Sequence, residues 1–114
     1  MLSKEKRLNL KKDFKWVASG KKLETRYVKL FVKLGNNPPA GGPKVGIASS
    51  GRTFKKASQR NRARRLISAA FEVLYPSLPE NLNIIALPKS GILDVKSQDV
   101  LSDLEEKLTR EKIF

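Results

Sequence analysis

The chain has 114 residues, with 24 Lys/Arg against 11 Asp/Glu, a net charge of +13, and neither cysteine nor histidine. That length suits one domain with one modest core. The absent residue types exclude disulfides, cysteine-ligated metals and histidine chemistry, and no run approaches the roughly 18 apolar residues of a membrane span.

The basic N-terminus, Met1 to Arg7, is followed by no apolar signal core, so a cytoplasmic protein is expected. Residues 1–75 hold 19 Lys/Arg and 4 Asp/Glu, a net of +15, whereas residues 76–114 hold 5 and 7, a net of −2. A surplus confined to two thirds of a chain is the footprint of a nucleic-acid surface. An anionic membrane ranks lower, because the cations do not form the polar side of a long amphipathic helix.

Residues 1–8 read as a frayed basic arm. A first helix is expected from Leu10 to Ser19, with Asn9 as N-cap and Gly20 at C′. Leu10, Phe14, Val17 and Ala18 share one of its faces and Trp16 lies off it. Phe14 is either core or a ligand contact. Residues 26–34 alternate cleanly as a strand: Val28, Leu30, Val32 and Leu34 on one face, Tyr27, Lys29, Phe31 and Lys33 on the other. Interleaved aromatics and lysines suit single-stranded nucleic acid, with bases on rings and phosphates on ammonium groups. The plainer alternative packs Tyr27 and Phe31 under a helix or loop.

Residues 36–43, rich in Asn, Pro and Gly, form a loop without a phosphate-loop pattern. A second strand runs from Lys44 to about Ser50. If it pairs antiparallel with the first, Gly46, Ala48 and Ser50 make a small-residue floor beside Phe31. The central feature follows. Lys55, Lys56, Arg60, Arg62, Arg64 and Arg65 precede or open a helix whose apolar stripe is Ala63, Leu66, Ile67, Ala70, Phe71 and Leu74, with no acid before Glu72. Ser58, Asn61, Arg62, Arg65, Ser68 and Glu72 are expected on its outer side. Such one-signed charge opposes helix formation unless a polyanion binds it. The helix should stop near Tyr75, before Pro76.

After a loop at residues 77–81, Leu82 to Leu87 reads as a buried strand, parallel to the second strand across the helix. Ser97 is expected to N-cap a last helix with an apolar stripe of Val100, Leu101, Leu104 and Leu108, its outside covered by Asp99, Asp103, Glu105 and Glu106. The class is α+β. Nothing resembles a catalytic centre: acids are sparse in the basic region, and two-metal nucleases need converging carboxylates. No catalytic residue and no metal ligand is assigned to the chain.

Lys56-Ala57-Ser58-Gln59-Arg60-Asn61-Arg62-Ala63-Arg64-Arg65-Leu66-Ile67, running on to Ala70-Phe71, resembles the Arg-Asn-Arg helix of the bacterial ribonuclease P protein subunit family. Arg7-Leu8, then Asp13-Phe14 and Val17 to Gly20, is similar to that family's N-terminal signature, and Lys44-Val45-Gly46-Ile47 to its second strand. The resemblance covers about residues 7 to 89. It implies a single-domain α/β sandwich with a mixed sheet, of the kind found in the second domain of a small-subunit ribosomal protein. The implied order is α-β-β-α-β-α with a left-handed crossover, against the general right-handed rule.

It further implies a protein subunit that binds the catalytic ribonuclease P RNA and grips the 5′ leader of precursor tRNA. The resemblance makes the RNA the catalyst, hydrolysing the phosphodiester with Mg²⁺ that it mainly holds; no small-molecule substrate and no membrane is implied. Arg52, Lys55, Lys56, Arg60, Asn61, Arg62, Arg64 and Arg65 then match the RNA-subunit contacts. Phe14 and Phe31 match the leader cleft. Tyr27, Lys29 and Lys33 join them from the aromatic–lysine face, Trp16 as a substitute for a family aromatic that falls at Ala18, and Ser50 from the small-residue floor. The chain departs from the family pattern with Lys55 at a usual Gly and with Pro88, then Lys89, at a usual Arg. The alternative is a general RNA-binding protein of ribosomal or chaperone type.

Overall fold

The computed structural model describes residues 6–35 and 42–113. Residues 1–5, most of the arm, and 36–41, most of the Asn-Pro-Gly loop, lie outside them. The elements are α1 (Leu10–Ala18), β1 (Lys21–Glu24), β2 (Val28–Leu34), β3 (Lys44–Ile47), α2 (Ala57–Leu74), β4 (Leu82–Pro88) and α3 (Ser97–Arg110), with 3₁₀ turns at Tyr75–Ser77 and Ser90–Asp94.

The sheet order is β1-β2-β4-β3. β2 runs antiparallel to both β1 and β4, and β3 runs parallel to β4. The parallel pair flanking α2 is as expected. The first and second expected strands, however, are not neighbours: β4 lies between them. Only Gly46 of the expected floor belongs to a strand, and Ile85 separates it from Phe31 in the row Lys22–Phe31–Ile85–Gly46.

β1 carries a single apolar side chain, Leu23, so no alternation announces it. Its pairing with β2 makes it a strand. Thr25 shapes the turn between them: its Oγ1 accepts from the N–H groups of Tyr27 and Val28 at 3.3 and 3.0 Å. Asp103 of α3 accepts from the Arg26 and Tyr27 N–H groups at 3.3 and 3.1 Å. Those two donors are therefore unavailable to a ladder, and the strand begins at Val28 rather than Arg26. Asp103 is half-buried by this contact, not part of the solvated outside of α3.

The two sheet faces have different partners. Val28, Leu30, Val32, Val45, Ile84 and Ala86 pack against Ile67 and Phe71 of α2 and Leu104 and Leu108 of α3. Each fully buried aliphatic side chain is worth about 1.5–3 kcal/mol. The opposite face is covered by α1: Leu8, Val17 and Ile85 are buried, with Leu10, Phe14, Phe31 and Leu87 half-buried around them.

Helix boundaries follow local chemistry. Asn9 Oδ1 accepts from the Lys12 N–H at 3.3 Å, which makes it the N-cap of α1 as expected. α2 ends at Leu74, before the Tyr75–Ser77 turn that contains Pro76. The N-cap of α3 is Lys96 rather than Ser97, because Asp99 Oδ2 reaches back to the Lys96 N–H at 3.0 Å. All six stripe residues of α2 are buried. Ser68 is buried as well, not on the outer side, since α2 lies against β3 over a wider arc than its apolar stripe. No helix among the described residues is long and apolar enough to cross a membrane.

Candidate RNA interface

The basic block starts in the loop before α2. Ser50 Oγ accepts from the Arg52 N–H at 3.0 Å, and the Ser50 carbonyl accepts from the Phe54 N–H at 3.0 Å. Phe54, 1 % exposed, anchors the loop in the core. Gln59 Oε1 accepts from the Lys56 N–H at 3.3 Å and closes the first turn of α2. Arg52, Lys55 and Lys56 stay exposed on this fixed turn. Ser50 shapes that turn and lies past the end of β3, outside the sheet floor.

The arginines divide into two groups. Arg60 Nη1 donates to the carbonyls of Phe54 and Lys55 at 2.8 and 3.4 Å. Arg62 donates from Nε to Leu93 O at 3.2 Å and from Nη2 to Val95 O at 3.3 Å, tying α2 to the 3₁₀ turn before α3. Both guanidinium groups thus hold backbone carbonyls. Arg64 and Arg65 are exposed, and Arg64 Nη2 donates to Asn61 Oδ1 at 3.2 Å. Arg65 has no hydrogen-bond or ion-pair partner among the described residues.

The face under α1 brings together Phe14, Phe31, Lys29 and Lys33. Phe14 and Phe31 pack in one half-buried cluster with Ile85 and Leu87. Lys29 is exposed between Glu24 and Leu87 in the register. Lys33 Nζ stands 5.0 Å from the centroid of the Trp16 ring and donates to Ser19 Oγ at 2.8 Å. Trp16, 42 % exposed, closes this end of the face, where a Cβ on Gly35 would strike its ring. Tyr27 is not on this face. It precedes β2 and packs into the α2–α3 core, because the turn held by Thr25 and Asp103 breaks the strand alternation at that residue.

Lys89, next to Pro88, is also committed internally. Its Nζ donates to Thr25 O at 2.7 Å and pairs with Glu24 Oε1 at 2.8 Å. That hydrogen bond, with the Lys89 charge, holds the Glu24 carboxyl below its ordinary pKa. Sequence reasoning also missed Arg7 and Lys11. Leu8 N–H donates to Val45 O at 2.9 Å, and Arg7 bridges Val45 in parallel, so the end of the arm lies along the open edge of β3. A lone hydrophobic residue among cations gave no signal of that pairing.

Among the described residues, no group of three or more His, Cys, Asp or Glu could hold a metal ion. Among the described residues, the arrangement offers exposed cations and half-buried aromatics, groups able to bind a polyanion.

The sequence from residue 2 to residue 112 matches the model of the Ribonuclease P family. The ribonuclease P protein component of Pseudoalteromonas atlantica is 37% identical over 71 residues, covering 60% of this chain and 58% of that protein. That of Cronobacter sakazakii is 32% identical over 77 residues, covering 68% and 63%. The chain thus aligns with about three fifths of the length of these relatives. The fold is shared with a Staphylococcus aureus RNase P protein mutant with defective mRNA degradation activity: TM-score 0.82, 21% identity, 97% of this chain and 92% of that one. It is shared too with the Thermotoga maritima RNase P protein in complex with 1-(4-fluorophenyl)-2-thiourea: TM-score 0.77, 23% identity, 91% and 98%. With the family model spanning nearly the whole sequence, the chain belongs to the bacterial ribonuclease P protein family.

Proposed function

We propose that the chain acts as the protein subunit of ribonuclease P. It binds the catalytic RNA through the exposed cations from Arg52 to Arg65 and the 5′ leader of precursor tRNA through the sheet face under α1. The observation that carries this reading is the presence of two unlike surfaces on one chain. One is a one-signed block whose Arg52, Lys55, Lys56, Arg64 and Arg65 project outward; the other is a half-buried Phe14–Phe31 cluster rimmed by Lys29 and Lys33. Cations that lack acidic partners gain from phosphates, and release of counterions supplies the affinity. Rings on a sheet floor suit the stacked bases of a single strand.

Mg²⁺ belongs to the RNA subunit in this reading. The chain contributes binding and placement: a leader held on the sheet sets the scissile phosphate relative to the RNA. Precursor tRNA should therefore bind the assembled particle more tightly than mature tRNA, and the protein should act in the cytoplasm.

The test is cleavage of 5′-labelled precursor tRNA at low Mg²⁺ by a bacterial ribonuclease P RNA, with and without the chain. Cleavage at the leader junction only when both are present is expected. RNA binding without stimulation of cleavage would instead favour a general RNA-binding protein of ribosomal or chaperone type.

A further inference from the structure

A groove of about 390 Å³ opens between the end of the N-terminal arm, the edge of β3 and the flank of α2. None of Phe14, Phe31, Lys29 and Lys33 lines it, although its Leu8 and Leu10 belong to the same apolar cluster as Phe14 and Phe31. Leu8 and Leu10 line it from the α1 face of the sheet, Val45, Gly46 and Ile47 line it along the edge of β3, and Arg7, Lys11 and Arg64 are its cations. No acid is among its described lining residues, and all three cations are exposed. The larger cavity beside β2, about 560 Å³, differs in this respect: its Lys21 is paired with Glu111 at 3.1 Å and its Lys33 with Trp16 and Ser19.

The edge of β3 adds a directional feature. Ala48 N–H donates to Ala86 O on the β4 side at 3.1 Å, and Val45 O accepts from Leu8 on the outer side. Successive residues in a parallel strand alternate sides, so the Ile47 N–H and C=O point outward, into the groove past the end of the arm pairing. One strand edge thus offers a donor and an acceptor side by side next to the half-buried, apolar Leu10. A bare phosphate needs neither feature, whereas a nucleobase uses both: an apolar face to bury and a polar edge to pair.

We infer that this groove receives one unstacked nucleotide of the RNA subunit, its base against Leu10 and the Ile47 edge and its phosphate at Arg7, Lys11 and Arg64. The volume falls within the roughly 300–1,000 Å³ of small-molecule sites. The RNA subunit is the source because Arg64 belongs to the α2 block proposed to bind it. The inference rests on that proposed role.

Two measurements test it. In amide NMR titrations of the full chain, 5′-AMP or 5′-UMP should shift Gly46 and Ile47 saturably at millimolar concentration, with ribose 5-phosphate and inorganic phosphate at least tenfold weaker. Equal shifts from phosphate alone would reduce the groove to a charged surface and overturn the base site. In the second measurement, Arg7→Ala with Lys11→Ala should weaken binding to the ribonuclease P RNA about tenfold. Neither the thermal midpoint nor the ratio of precursor to mature tRNA affinity should change. Unchanged RNA affinity would overturn the inference, and a fall in that ratio would assign the nucleotide to the leader instead. Either result is distinct from failure of the proposed function, which would appear as unstimulated cleavage with the unaltered chain.

Discussion

Arg62 and Arg65 stand on the same helix three residues apart, carry the same charge, and have different tasks. Arg62 spans two carbonyls of the segment before α3, while Arg65 projects without a partner among the described residues. Arg65→Ala should therefore lower affinity for the RNA subunit and reduce the slope of log K against log salt by about 0.7–0.9, one phosphate contact, without moving the thermal midpoint. Arg62→Ala should cost about 1 kcal/mol of stability, read by urea unfolding, and leave the salt slope in place. Equal slopes for the two variants would show that the carbonyl contacts do not withhold Arg62 from RNA. Lys89 follows the same logic: its ammonium group joins Glu24 to the Thr25 carbonyl at the end of β1, so its charge is already used. Gly20 is a glycine for a reason other than the expected C′ conformation. A Cβ there would strike the Val32 carbonyl oxygen, so α1 could not approach β2 as closely.

The loop before α2 and the face under α1 act as units. Phe54 ties the loop to the core while Arg60 holds its last carbonyls, so the exposed Arg52, Lys55 and Lys56 sit on a fixed turn. Truncating this fully buried ring, Phe54→Ala, should cost about 3–5 kcal/mol in unfolding free energy. At native conditions it should also speed hydrogen exchange in the loop ahead of α2, and protection equal to the parent's would argue against the anchor. Phe31 differs, being half-buried at the rim of the α1 cluster. Phe31→Ala should narrow the gap between precursor and mature tRNA affinity by about 1–3 kcal/mol, the worth of one stacked base. If its main effect were instead a large drop in thermal stability, the ring would belong to the core. Trp16 and Lys33 close the same face together through their ring–ammonium contact, which makes the tryptophan a wall of that surface although it lies off the apolar stripe of α1.

Across the whole molecule, charge is sorted by layer. Cations crowd the loop and first turns of α2, while α3 supplies acids that steady the fold: Asp103 at the β1–β2 turn and Glu111 with Lys21 and Lys107. Hydrogen bonds from Lys21, then Lys107, lower the Glu111 pKa, as the Lys89 hydrogen bond lowers that of Glu24. Both carboxylates are thus more acidic folded than the ordinary 4.5. Their contribution is complete above that value and is lost as pH falls through the lower folded values. The urea midpoint of Glu24→Gln with Glu111→Gln should consequently change less than the parent's between about pH 5 and 3. Parallel curves would mean that neither ion pair is formed in solution.

The sequence by itself determined the strands and helices with strong periodicity: Val28 to Leu34, Leu82 to Leu87, the stripes of α2 and α3, and the Asn9 cap. It also carried the excess of positive charge on which the proposed polyanionic partner rests, since net charge and its placement are properties of composition and order. Hydrophobic spacing reports which side of an element is buried and says nothing of what buries it. Tertiary structure therefore decided the rest. β4 enters between β2 and β3, which turns the expected Phe31–Gly46 neighbours into a row with Ile85 between them. β1 exists through pairing alone, and Tyr27 leaves the lysine face because Asp103, 76 residues away, takes its N–H. Most of all, an arginine's free donors depend on which carbonyls come within reach after folding. The Arg-Asn-Arg spacing marks a basic helix, but Arg62 reaches the Leu93 carbonyl, 31 residues away, through a contact that local sequence does not encode, while Arg65 is left without a partner among the described residues.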